Sequence, residues 1–310
     1  MSDRENPGTG MTATVMEGIY RPRSRLASVR RTLWRFMRNQ PLGTFGGAIV
    51  ALFILLGAFG PYIVPFDPFE IGAGPRLEGP SWRHLLGTDA FGRDQLSRII
   101  IGARLSVFVG FGAVLIGTGV ATILGLWVGY MGGRSDMIVQ RIVDGVMSYP
   151  PLVLALVAVG VLGPSTVNIT LVLGGLMIAG NSRVIRGSTL AVKGSTYVEA
   201  ARMLGASTPR IILRHVLPNV VSPLIVIATV SLGSVILAEG ALSFLGLGVP
   251  PPTPSWGRMI GGEESRFYFA TTPSLVVFPG IALTVVVFAF NMFGDALRDV
   301  LDPRLRGEGL

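Results

Sequence analysis

Apolar residues fall into six blocks along the chain: Leu42–Val64, Leu105–Met131, Val146–Leu162, Val167–Ala179 continuing toward Ile185, Val220–Leu245 and Leu275–Phe293. A helix needs ~20 mostly apolar residues to cross the hydrocarbon of a bilayer, so the pattern predicts six membrane-spanning helices. Only Gly163, Pro164 and Ser165 separate the third block from the fourth. So tight a turn admits two short spans or one re-entrant hairpin, because periodicity does not distinguish them.

The polar blocks give the direction. Ahead of the first span stand Arg4, Arg21, Arg23, Arg25, Arg30, Arg31, Arg35 and Arg38, against Asp3, Glu5 and Glu17. An arginine excess marks the side kept in the cytoplasm, which places the N-terminus inside. Alternation then puts 132–145, 186–218 and the tail after Phe293 inside, with 65–104 and 246–273 outside. The inside segments, with Arg183 at the end of the fourth span, hold nineteen of the 26 basic residues, which agrees with six spans. The expected organisation is a basic cytoplasmic tail (1–41), an anchor span (42–64), an extracytoplasmic segment (65–104), a five-span core (105–297) and a cytoplasmic tail (298–310). Met1 is followed by no apolar run, so the first span reads as an uncleaved anchor and not as a signal peptide.

Composition sharpens this into an all-α polytopic membrane protein. Half of the 310 residues are hydrophobic, 14% are charged and the mean hydropathy is +0.59, which excludes an ordinary soluble domain. There is no cysteine, hence no disulfide, thiolate metal site or cysteine nucleophile. The net charge of +8 is nearly all arginine, with Lys193 the single lysine, and in so apolar a chain it marks cytoplasmic faces and not a nucleic-acid surface. Gly125, Gly129 and Gly133, and Gly43 with Gly47, are spaced for close helix approach, within this chain or against a partner chain.

Between two of the apolar blocks lies TYVEAARMLGASTPRIILRHVLPNVVSPL, Thr196 to Leu224. Thr196 with Glu199 three residues on is a capping box, predicting a helix from Tyr197. Gly205 should end it in a left-handed conformation. Thr208-Pro209 reads as the start of a second helix, and Pro218 should end that one at Leu217. Glu199, Arg202, Arg210 and Arg214 form a polar rim with Val198, Ala201, Met203 and Leu204 between. The segment could grip a soluble partner, or face lipid headgroups with Glu199 serving only as a cap.

Glu199-Ala200-Ala201, Gly205 and Leu217-Pro218, at their spacing, resemble the E-A-A…G…L-P loop of the membrane subunits of bacterial ATP-binding-cassette importers. His215 stands where the general pattern has isoleucine; the peptide-importer branch shares this departure. Leu86–Ser106, Gly129–Ala155 and Ile236–Ile260 are similar to segments of the C-type permeases of dipeptide, oligopeptide and nickel importers, and the likeness runs from about 35 to 303. The resemblance implies a permease in the bacterial inner membrane, forming half of a heterodimeric pore with a sister permease. It further implies two cytoplasmic ATPases that bind ATP and magnesium, and an extracytoplasmic binding protein that delivers solute. Glu199, Ala200, Ala201, Met203, Leu204, Gly205, Leu217 and Pro218 would couple to the ATPases. Peptides would be carried, although similar permeases handle nickel chelates, glutathione and oligosaccharides.

Other residues remain to be weighed. Asp89, Arg93, Asp94 and Arg98, followed by Leu96, Ile99, Ile100 and Ala103 at helical spacing, describe an amphipathic helix lying on the outer membrane face, solvated on one side or touching substrate. Glu239, late in the fifth span, is costly in hydrocarbon unless paired, protonated or near water; it is a pathway or gate residue, or a structural hydrogen-bonding group. Asp136, Arg141 and Asp144 suggest a salt-bridged cytoplasmic elbow. Trp256, Tyr268 and Phe269 read as headgroup-level anchors, with Trp256 also able to meet an external protein. No phosphate-cradling G-x-x-x-x-G-K-[ST] loop, H-E-x-x-H pair or G-x-S-x-G elbow occurs, so no cofactor, metal or catalytic residue is expected in this chain. Two other classes stay open: a proton-driven secondary transporter relaying through Glu239, and a membrane-anchored interaction protein.

Overall fold

A computed structural model describes residue 34 and residues 36–301. Arg4 to Arg35, on which the inside assignment of the N-terminus leans, lie outside the described residues, as does everything from 302 onward. The described residues up to Pro41 and those from Leu42 fall in two separate units. In the first, 36–39 are helical and the Arg38 guanidinium lies 5.5 Å from the centre of the Trp34 ring.

The helices in order are α1 (Pro41–Ile63), α2 (Gln95–Met131), α3 (Gly133–Met147), α4 (Pro151–Leu162), α5 (Thr166–Lys193), α6 (Thr196–Met203), α7 (Thr208–Ile211), a π-helical turn (Ile212–Val216), α8 (Leu217–Phe244), α9 (Trp256–Gly261), α10 (Glu263–Tyr268) and α11 (Ser274–Leu301). Among the described residues the only β geometry is an isolated bridge between Thr88 and Asp94. The architecture is all-α and polytopic. Among the described residues five helices are long and apolar enough to span: α1, α2, α5, the run Thr208–Phe244, and α11. The pair α3 and α4, bent by 86°, is a broken sixth span or a re-entrant loop. Pro150 and Pro151 at the break supply no backbone donors, so one straight helix cannot run through it. The twelve residues of α4 rise only about 18 Å, short of the ~30 Å hydrocarbon. The third block is therefore not the straight span that its composition suggests.

The second block starts ten residues earlier than expected. The flat amphipathic helix proposed within 65–104 does not form; Gln95 to Arg104 are the first turns of α2 itself. Asp94 caps α2, its carboxylate accepting from Ser97 N at 2.8 Å. No proline interrupts the way to Leu105, and Gly102, the one glycine, leaves room for the Trp256 indole, which a Cβ there would meet at 2.8 Å. At the other end of the chain, α11 runs to Leu301, past the expected boundary at 297.

The α2–α5 pair is the most extensive contact in the fold. A Cβ built on Gly117, Gly125 or Gly129 would lie 2.6 to 2.9 Å from Gly174 O, Ser182 O or Thr189 Cβ on α5. The glycine ridge thus serves packing within the chain, and so does Gly47, which with Gly46 meets α11 at Phe293 and Ala289. Gly133, grouped with that ridge by spacing, instead turns the chain with a φ of 64°.

Two hydrophobic cores result. One, in the body of the bundle, gathers Phe53, Val109, Ile169, Ile236, Trp256 and Phe290. The other lies at the side expected to be cytoplasmic, the inner side, and gathers Leu126, Tyr130, Ile185, Val198, Ile211, Val216 and Val220.

Candidate functional site

The inner corner is built by α6, the turn after it, and α7. Ser195, one residue before the expected cap, is the N-cap of α6; its hydroxyl turns back to donate to Val192 O at 2.7 Å. Glu199 therefore falls a position too late for a capping box and is exposed. The other end forms as expected. Gly205 takes a φ of 78°, its N–H donates to Arg202 O at 3.0 Å, and Ala206 N donates to Ala201 O at 3.1 Å. These two bonds make a Schellman closure, which satisfies the last carbonyls of α6 and turns the chain sharply.

Ser207, not Thr208, is the N-cap of α7, with Pro209 in the first turn. The second helix does not stop at Leu217. It passes through the π-helical turn, where Leu217 N donates to Ile212 O, and continues into α8 with Pro218 in the first turn. The wider turn shifts the bonding by one residue where Pro218 can donate nothing. Asn219 Nδ2 supports this by donating to His215 O at 2.7 Å. Leu217 and Pro218 are thus helical residues at the foot of α8, and His215 lies 6.5 Å ring to ring from Tyr197 on α6.

The corner is two-faced. Val198, Ile211 and Val216 are fully or nearly fully buried in the inner core, and Ala201 is half-buried beside them. Facing away are Glu199, Ala200, Gly205, Arg210 and Arg214, together with Met203 and Leu204, each 88% exposed. Beside the corner, Asp136 on α3 receives Arg186 Nε and Nη2 of α5 at 2.5 Å each, Asp144 pairs with Arg183, and Arg141 lies 3.8 Å from Asp144. The salt-bridged elbow forms, and α5 supplies its main cations.

The opposite end is organised by buried charge. His84 Nδ1 and Asp94 Oδ1 are 2.9 Å apart, with both side chains buried. Asp89 accepts from Phe91 N, Arg93 N and Arg93 Nε, and the Arg98 guanidinium approaches it at 3.5 Å while donating to Pro68 O at 3.0 Å. The polar stripe Asp89–Arg98 is therefore largely enclosed and not a solvated face, because 65–94 folds over it. Arg93 Nη2 reaches Glu264 of α10 at 3.3 Å. Burial and nearby Asp89 push the Glu264 carboxyl above its ordinary value against the pull of Arg93 and Arg98. Around these residues opens a cavity of about 640 Å³, with Arg258, Arg266 and Ser255 in its wall.

Trp256 is buried and not a headgroup anchor. Its Nε1 donates to Ile99 O at 2.9 Å, and its ring packs on Phe53, with Phe290 on the far side of Phe53. Glu239 is 1% exposed; Ser243 Oγ donates to it at 2.7 Å and Ser106 Oγ at 3.5 Å, with Ser255 adding a third hydroxyl. These bonds tie α8 to α2 and to the N-cap of α9.

The spacing of residues does not single out Tyr130. It is the penultimate residue of α2, is 7% exposed, and has the Lys193 ammonium 5.5 Å and the Arg202 guanidinium 5.7 Å from its ring centre. An aromatic hydroxyl this late in an apolar span, with the chain's single lysine to pair with it, is the signal available in the sequence.

Residues 121–307 match the family of binding-protein-dependent transport system inner membrane components. Residues 28–80 match the N-terminal transmembrane domain of oligopeptide transport permease C. The chain is 39% identical over 277 residues to the glutathione transport system permease protein GsiD of Pectobacterium atrosepticum, covering 89% of this chain and 91% of that one. It is 40% identical over 275 residues to the proteins of that name from Escherichia coli and Shigella boydii, covering 88% and 90%.

Proposed function

The chain belongs to the family of binding-protein-dependent transport system inner membrane components, in the oligopeptide permease branch, and from that membership we propose that its inner corner is where cytoplasmic ATPases take hold. As a multi-pass inner-membrane permease of an ATP-binding-cassette importer, it is non-catalytic. Both termini lie in the cytoplasm. A sister permease completes the pore, and the ATPases bind ATP and magnesium. An external binding protein delivers solute to the outer mouth, where the Arg258-lined cavity opens. The solute is of the peptide class; the relatives named above are glutathione permeases, and glutathione is a tripeptide. ATP-driven closure of the ATPases moves the corner and switches the pathway between its two openings.

One observation carries this reading: Met203 and Leu204 are exposed at the end of a fully closed helix whose other face is packed into its own core. Two adjacent exposed apolar side chains backed by a packed face offer a docking groove a contiguous apolar contact. The test is affinity purification of the complex with Leu204→Asp. A charge in a docking groove should strip the ATPases while the sister permease stays bound. Unchanged ATPase retention would reject the corner as the docking site. A proton relay through Glu239 gains no support, because the groups that meet its carboxyl are serine hydroxyls and none is ionisable.

A further inference from the structure

Within the corner, α6 is joined to its neighbours by two glycine-containing joints. On one side the chain passes through Gly194 and Ser195, on the other through Gly205 and Ala206. A glycine joint transmits direction poorly, since its backbone has several conformations within reach. A push on α6 therefore reaches α2 and α5 through side chains, beside the backbone route by way of α7 into α8. Of its eight residues, Val198 is buried in the inner core and Ala201 is half-buried there; the other six are exposed, but two of them still touch neighbours, Arg202 at Tyr130 and Tyr197 at His215. Burial of Val198 is non-directional, whereas the Arg202 contact is aimed: its Nη2 donates to Tyr130 Oη at 3.4 Å and its guanidinium sits 5.7 Å from the ring centre.

Lys193, the last residue of α5, faces the same ring. Tyr130 is thus where the ends of α2 and α5 meet α6. Those two spans are themselves locked along the Gly117, Gly125 and Gly129 ridge, so force applied at Tyr130 moves them as one body.

We infer that Tyr130 is a positioning residue for coupling: its ring, held between Arg202 and Lys193, is the post that carries movement of α6 into the α2–α5 pair. This rests on the corner being the ATPase-docking site, and the two claims separate experimentally, since removing the post should leave docking intact and break transmission.

The experiment uses the whole complex, with sister permease and ATPases, in lipid nanodiscs. The chain has no cysteine, so single cysteines at Leu245, Thr253 or Glu263 in the outer cavity report its opening. The readout is their rate of modification by a bulky maleimide, followed on this chain by gel shift, with and without a non-hydrolysable ATP analogue. In the parent the nucleotide should change the rate. Tyr130→Met, which fills the space without an aromatic face, should retain the ATPases and shrink that response about fivefold or more, within the usual range of coupling between sites. Tyr130→Phe, which keeps the face, should restore it to within about twofold of the parent, as a cation over a phenyl ring retains most of its attraction.

A full nucleotide response in Tyr130→Met, or a Tyr130→Phe response as small as that of Tyr130→Met, would overturn the inference. So would failure of both Tyr130→Met and Tyr130→Leu to assemble, which would make Tyr130 a folding residue. Loss of ATPases from an assembled Tyr130→Met would place Tyr130 in docking and overturn its role as a post. A parent with no nucleotide response at any of the three positions would reject the coupling account itself, and this inference with it.

Discussion

The two ends of the bundle handle polarity in opposite ways. At the outer end, 65–98 folds charged side chains inward, and Asp94 alone is met by His84, Ser97 N and Ser97 Oγ. At the inner end, α6 buries Val198 and turns Met203 and Leu204 to water. At the outer end the carboxylates of Asp89 and Asp94 are met within this chain, while His84 Nε2 and Gln95 Oε1 are buried without a hydrogen-bond partner. The inner corner has a closed backbone and an open apolar surface. The difference separates an end organised by buried charge from an end that turns apolar side chains outward.

That contrast breaks most readily at Asp94. Asp94→Ala removes the cap of α2 and strands the buried His84, at a cost of about 2–4 kcal/mol. The purified chain should lose several degrees of its thermal midpoint, with little change in ATPase retention by the fraction that folds. A midpoint equal to the parent's would show that the outer network is not load-sharing in the fold. Gly205→Val is the inner counterpart. Open space surrounds the position, so a side chain meets no clash there, but the positive φ costs a β-branched residue about 1–2 kcal/mol. The corner should shift, with uptake and ATPase retention falling while the outer end and the sister-permease contact persist. Parental uptake in Gly205→Val would remove the left-handed turn from the account.

The smallest effect concerns Glu264. Its folded carboxyl is held above the ordinary 4.5 by burial first and Asp89 second. A raised folded pKa means that the stabilisation is complete below the ordinary value and is lost as pH rises through the folded value. Because the side chain is about a third exposed, screening limits the effect to below about 1 kcal/mol. The thermal midpoint should therefore decline slightly on raising pH from about 4 toward neutrality, and Glu264→Gln should flatten that part of the profile. A slope that Glu264→Gln leaves untouched would assign it to another group.

Much of this was readable from the sequence, for identifiable reasons. Spans show because hydrocarbon demands long apolar runs, and Gly205 shows because few other residues take its φ. The cap of α6 fell one residue early because Ser195 and Thr196 carry the same chemistry. Asp89, Arg93, Asp94 and Arg98 read as a solvated face because their burial depends on 65–94 folding over them, which no local pattern encodes. Trp256 read as an anchor for the same reason, since its partners Ile99 and Phe53 are remote in sequence. A π-turn inserts a single residue into a helical period, so Pro218 looked like a stop. Tyr130 acquires its role only when the ends of α2, α5 and α6 are brought together.

The most direct test of the central claim again uses the absence of cysteine. A cysteine at Leu204 and, separately, one at Trp82, which is 99% exposed at the outer end, would each be loaded with a short photo-crosslinker in the intact complex. The account predicts an adduct between this chain and an ATPase from Leu204→Cys and none from Trp82→Cys. An ATPase adduct from Trp82→Cys, or its absence from Leu204→Cys in a complex that retains its ATPases, would contradict it.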